Sequence, residues 1–83
     1  MSGRILIVDD DRAMCETIAT HLRLTGFEAQ WLTSAEAAFE SIQSAEFDTV
    51  LTDLRMPGMN GLELCERIVT NRPDVPVVVI TAF

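Results

Sequence analysis

Three aspartates, Asp9, Asp10 and Asp11, directly follow the apolar run at residues 5–8. A fourth, Asp53, follows a second apolar run, and Thr81 follows a third at residues 77–80. Carboxylates brought together repel: at roughly 4 Å each pair costs about 1 kcal/mol in water and about 4 kcal/mol at a protein-like dielectric. A divalent cation or a bound proton offsets that repulsion. Hard oxygen ligands around an open site suit Mg2+, which keeps several waters and takes one or two carboxylates plus phosphate oxygens. A carboxylate beside such a cation can attack phosphorus and form an acyl phosphate. The cation and a neighbouring hydroxyl would then stabilise the transferring oxygens.

That chemistry needs elements that bring the acids together. Residues 5–8 are β-branched and apolar, the pattern of a strand buried on both faces. Asp11 is placed to cap a helix with Met14, Ile18 and Leu22 recurring every four residues, flanked by Cys15 and Ala19 and ended by Gly26. Residues 27–32 predict a second strand. Thr33 and Glu36 have capping-box spacing, opening a helix with a stripe of Ala35, Ala38, Phe39 and Ile42. Residues 48–52 predict a third strand, Pro57-Gly58 a turn, and Asn60 with Glu63 a second capping pair. The helix that follows has Leu62, Cys65, Ile68 and Val69 on one side, and residues 77–80 predict a fourth strand.

Strand and helix alternate, which predicts an α/β, doubly wound parallel sheet with right-handed crossovers. Ligands in such sheets bind at the carboxyl ends of strands where the order reverses. With the order 2-1-3-4, strands one and three are neighbours about 4.8 Å apart, and Asp9, Asp10 and Asp53 converge with the Thr81 hydroxyl one strand over. Singly, each has an ordinary reading: an acidic turn, a turn aspartate, a strand threonine. Their combination at three successive strand ends favours the site.

A chain of 83 residues supports one small domain, and such domains bury only about 60% of their unfolded surface. Its net charge is −7, and all six basic residues are arginine. That balance argues against a nucleic-acid surface, which needs clustered Lys and Arg, and suits a cation site or a basic partner. Cys15 and Cys65 match neither a zinc site nor a disulfide framework and read as buried free thiols. The first apolar run is too short for a signal peptide or membrane span, so a cytoplasmic protein is the default expectation. An apolar strand three residues from the end would leave a bare sheet edge, so a truncated domain that self-associates is expected.

With these motifs in place, the sequence resembles the receiver domain of bacterial response regulators along its whole length. Residues 5–11 (ILIVDDD) resemble the first strand and acidic pair, residues 52–61 (TDLRMPGMNG) the phosphoacceptor loop, and residues 76–82 (PVVVITA) the fourth strand. The resemblance implies an incomplete flavodoxin-like (βα)5 fold, with residues 1–83 as its N-terminal portion and the last helix-strand-helix missing. It implies that Asp53 is the phosphoacceptor, Asp10 a direct Mg2+ ligand and Asp9 a ligand through water. Arg55 would contribute its backbone carbonyl to the metal, and Thr81 the switch hydroxyl. The implied partner is a histidine kinase; the domain is a phosphoacceptor rather than a turnover enzyme. The wording of the loop is closest to transcription-activating regulators with ATPase and DNA-binding domains downstream. The family also has a lysine on a fifth strand, and no lysine occurs here, so weakened phosphorylation of this fragment is expected.

Two other functions compete. One is a phosphorylation-independent interaction module with the same fold. The other is an aspartyl-nucleophile phosphatase, which wants Asp-x-Asp after strand one; Asp9 and Asp11 have that spacing, but the loop from Asp53 to Pro57 fits a receiver better. A dinucleotide fold is excluded because no Gly-rich turn follows strand one. His21 reads as an exposed helical histidine, Trp31 as cover for a sheet edge, and Met56 and Met59 as loop packing. Arg12 could equally pair with the acids or face solvent.

Overall fold

A computed structural model describes residues 3–80. The elements are β1 (Arg4–Val8), α1 (Arg12–Leu24), β2 (Glu28–Leu32), α2 (Ala35–Ser44), β3 (Thr49–Asp53), α3 (Gly61–Asn71) and β4 (Val77–Ile80). All strand pairs are parallel, in the order β2-β1-β3-β4, as the alternation of elements predicts. Central β1 is apolar at every position from Ile5 to Val8 because helices cover both its faces. Leu6 and Val8 join the cluster under α2 and α3, whereas Ile5 and Ile7 join the one under α1.

Local signals place the helix starts with one exception. The Asp11 carboxylate accepts from the Met14 amide at 3.2 Å, capping α1. Asn60 and Glu63 form the reciprocal capping box of α3. For α2, however, the cap is Ser34, which accepts from Ala37 N at 3.0 Å, and not Thr33. Glu36 therefore makes no capping box, because the third helical position after Ser34 is Ala37, and its carboxylate turns to another loop.

The helix stripes are also rotated from expectation in two places. On α3 the buried residues are Gly61, Leu64 and Ile68, while Leu62 and Val69 are exposed and Cys65 is half-buried. On α1 the buried line runs through Cys15 and Ala19, with Ile18 and Leu22 beside it and Met14 outside. The α2 stripe is as expected, with Ala35, Ala38 and Ile42 buried and Phe39 packed against them. Trp31 lies on edge strand β2, and the Arg12 guanidinium stacks 5.4 Å from its ring centroid. No helix among the described residues is long and apolar enough to cross a membrane.

Candidate functional site

The register of β1 with β3 decides the site. Val8 pairs with Thr52, so the residues that follow, Asp9 and Asp53, emerge side by side at the carboxyl end of the sheet. Asp10 is next along the chain. One carboxylate oxygen from each of Asp9, Asp10 and Asp53 lies within 4.8 Å of the others. Asp9 and Asp53 are half-buried and Asp10 is exposed. Oxygen donors alone, with one side open, fit a hard divalent cation.

Asp11 stands apart from this trio. Its carboxylate is engaged as the α1 cap, while its amide donates to Asp9 Oδ1 at 3.0 Å and fixes that side chain. The second acid of the Asp-x-Asp spacing thus serves the helix. Burial raises the Asp9 pKa above the ordinary carboxylate value; the Asp11 N–H opposes that shift, and the negative charges of Asp53 and Asp10 add to it. Burial first, and the neighbouring carboxylates second, disfavour the charged form of Asp9, which a cation would offset. Behind Asp9, the Cys15 thiol donates to the Asp9 carbonyl at 3.2 Å, and burial pushes its pKa up to about 11.

The loop after β3 carries Arg55, whose side chain is exposed. Leu54 N donates to the Ile80 carbonyl and Gly61 N to the Leu54 carbonyl, both at 3.0 Å, closing the loop at its two ends. Gly61 has to be glycine, because a Cβ there would collide with the Asp53 carbonyl oxygen. Met56 and Met59 are both buried in the cluster under α2 and α3, so their packing role is deeper than a surface loop suggests. Beneath Asp9 and Asp53 lies a cleft of about 70 Å³ lined by apolar side chains that include Ile7, Met14, Ile18, Leu51 and Ile80. Thr81 falls just past the Asp53–Ile80 pair and lies outside the described residues.

Two features were not apparent as parts of the site from the sequence. Thr52 is fully buried beside Asp53 and lines the cleft, its hydroxyl donating to the Asp53 carbonyl at 3.0 Å. Glu36 accepts a hydrogen bond from Met59 N at 3.3 Å across 23 residues of sequence. A strand threonine gives no local signal of such a place. Glu36 gave a misleading one, since its spacing from Thr33 matched a capping box.

The response regulator receiver domain family matches residues 5–83. The chain belongs to that family. It is 40% identical over 83 residues to the response regulator protein FleR of Pseudomonas aeruginosa, covering all of this chain and 18% of FleR. It is 38% identical over 82 residues to the response regulator MprA of Mycobacterium ulcerans, covering 99% of this chain and 35% of MprA. The chain thus spans about a third or less of these relatives. Among solved structures, the response regulator TrrA of Thermotoga maritima, in complex with Mg2+-BeF, superposes with a TM-score of 0.94 at 32% identity. That superposition covers 98% of this chain and 70% of TrrA. The non-phosphorylated HemR receiver domain of Leptospira biflexa gives 0.87 at 35% identity, over 96% and 64% of the two chains. These likenesses agree with the parallel 2-1-3-4 sheet and with a role in two-component signalling.

Proposed function

We propose that this receiver-domain chain is a Mg2+-dependent phosphoacceptor, with Asp53 as the residue phosphorylated by a partner histidine kinase in the cytoplasm. The observation that carries the reading is the convergence of Asp9, Asp10 and Asp53 at the switch between β1 and β3. The Mg2+ complex of the relative TrrA supports the same cation here. Asp10 would hold it directly, Asp9 through water, and Asp53 and the Arg55 carbonyl would complete the protein ligands. When bound, the ion neutralises charge on the transferring phosphoryl oxygens.

A carboxylate oxygen of Asp53 attacks the phosphorus of the phosphohistidine. The P–N bond breaks, its electron pair leaves with the imidazole nitrogen, and an aspartyl phosphate forms. Asp9, held by the Asp11 amide, stays fixed beside the nucleophile while the site fills. The Thr81 hydroxyl is assigned to the phosphoryl group as the switch contact. The length of FleR beyond the matched 18% supports a downstream output, with transcription control as the reading. Exposed Val78 and Ile80 on β4 support self-association of the 83-residue chain.

The test is to incubate the chain with Mg2+ and acetyl phosphate and record intact mass, with Asp53→Asn beside it. The expected result is one phosphoryl adduct on the parent and none on the variant. An adduct on both would move the acceptor elsewhere. No adduct on either, with Mg2+ still raising the melting temperature, would mean that the pocket forms but transfer needs the family's lysine, which is absent here; no adduct and no Mg2+ effect would favour the phosphorylation-independent interaction module.

A further inference from the structure

We infer that Glu36 is a positioning residue that holds the β3–α3 loop, and with it the Arg55 carbonyl, in register with the acidic trio. The inference rests on the Mg2+ reading of that trio. Glu36 is the second residue of α2 and its side chain is exposed, so neither burial nor helix capping accounts for where its carboxylate goes. Its Oε2 accepts from Met59 N at 3.3 Å, in the loop that leaves Asp53. The adjoining Gly58 has φ +78, and a Cβ there would lie 2.9 Å from the same oxygen. Gly58 thus serves twice: its backbone takes a conformation that side chains disfavour, and its bare Cα admits the carboxylate.

The consequence for the site follows from how the loop is fixed. Backbone hydrogen bonds close the loop at Leu54 and Gly61, and Met56 and Met59 anchor it in the apolar cluster. Apolar packing resists lifting of the loop but specifies its rotation and slide poorly. A hydrogen bond from the Met59 amide to the Glu36 carboxylate is directional and supplies that missing restraint. Arg55 lies four residues earlier in the same loop, and its backbone carbonyl would be a rigid ligand with no side-chain rotamer to compensate for loop movement. Mg2+ tolerates little error in ligand position, so slack at Met59 would reach a bound cation through Arg55.

Mg2+ alone, titrated into the parent, Glu36→Ala, Glu36→Asp and Glu36→Gln and followed by backbone amide NMR, tests this. Glu36→Gln keeps the length and an acceptor oxygen but loses the charge; Glu36→Asp keeps the charge but is one methylene short. The expected result is that Ala and Asp weaken Mg2+ by about threefold to tenfold and speed hydrogen exchange at Met59 N–H. Gln should stay within about twofold of the parent. Parent-like Mg2+ affinity in Glu36→Ala would overturn the inference and leave the Mg2+ site standing. Equal losses in Gln and Ala would also overturn it, by showing that long-range charge and not the tether matters. If Glu36→Ala fails to fold, the contrast between Asp and Gln decides. A parent that shows no response to Mg2+ would overturn the cation reading itself, and the positioning role with it.

Discussion

Against one face of the sheet, α2 and α3 close over Leu6, Val8 and Val50 with Ile42, Leu64 and Ile68, and the loop residues Met56 and Met59 plug into the same cluster. Against the other face, among the described residues, α1 alone covers Ile5, Ile7 and Ala29 through Cys15 and Ala19. Leu51 is only part-buried there, and Val78 and Ile80 stay exposed. The acidic trio sits where these two faces meet, at the end of β1 and β3. Its loop is anchored on the thick side, and the cleft beneath Asp53 opens on the thin side.

The strongest attempt to break this contrast is a pair of truncations. Leu64→Ala, fully buried on the thick face, should cost about 2–5 kcal/mol by urea denaturation. Ile18→Ala, half-buried on the thin face, should cost about 1 kcal/mol, since part of its area is already wet. Equal losses would show that the faces contribute alike. Next in size is Met59→Ala, expected to cost about 2 kcal/mol and also to slow phosphoryl transfer from acetyl phosphate, because it loosens the loop as well as the core. A stability loss without a rate change would separate the anchor from the site.

The seam itself is probed by pH. The raised pKa of Asp9 contributes stability that is fully present below its ordinary value of 3.8 and is lost as pH rises through the folded value. Melting temperature should therefore fall over that rise without Mg2+, and added Mg2+ at neutral pH should restore it; Asp9→Asn should flatten the fall.

Smaller effects sharpen the thin side. Cys15, raised from 9.0 to about 11, contributes stability present below pH 9.0 and lost as pH climbs through about 11. At pH 8 iodoacetamide should label half-buried Cys65 well before buried Cys15, as peptide mapping would show. Early labelling of Cys15 would mean that α1 opens readily. Least of all, Val78→Thr on exposed β4 should change stability by less than about 0.5 kcal/mol.

Much of this arrangement was legible in the amino-acid sequence. The four apolar runs, the caps at Asp11 and Asn60, and the alternation of strand and helix determined the element order and the parallel class, because each rests on local chemistry repeated along the chain. Acids placed at strand ends then predicted the meeting of Asp9, Asp10 and Asp53, since a parallel sheet gathers all its carboxyl ends on one side. Tertiary structure alone decided which way each helix turns and what its surface side chains reach. Leu62 and Val69 look like core residues by spacing, yet the sheet meets α3 along Leu64 and Ile68, and the line of contact is set by the partner surface rather than by the helix. Thr33 and Glu36 misled in a similar way: their spacing matched a capping box, yet the cap of α2 is Ser34. The backbone at Ser34 has the extended geometry of a cap, and the Met59 amide gave Glu36 a partner 23 residues away that no local spacing encodes.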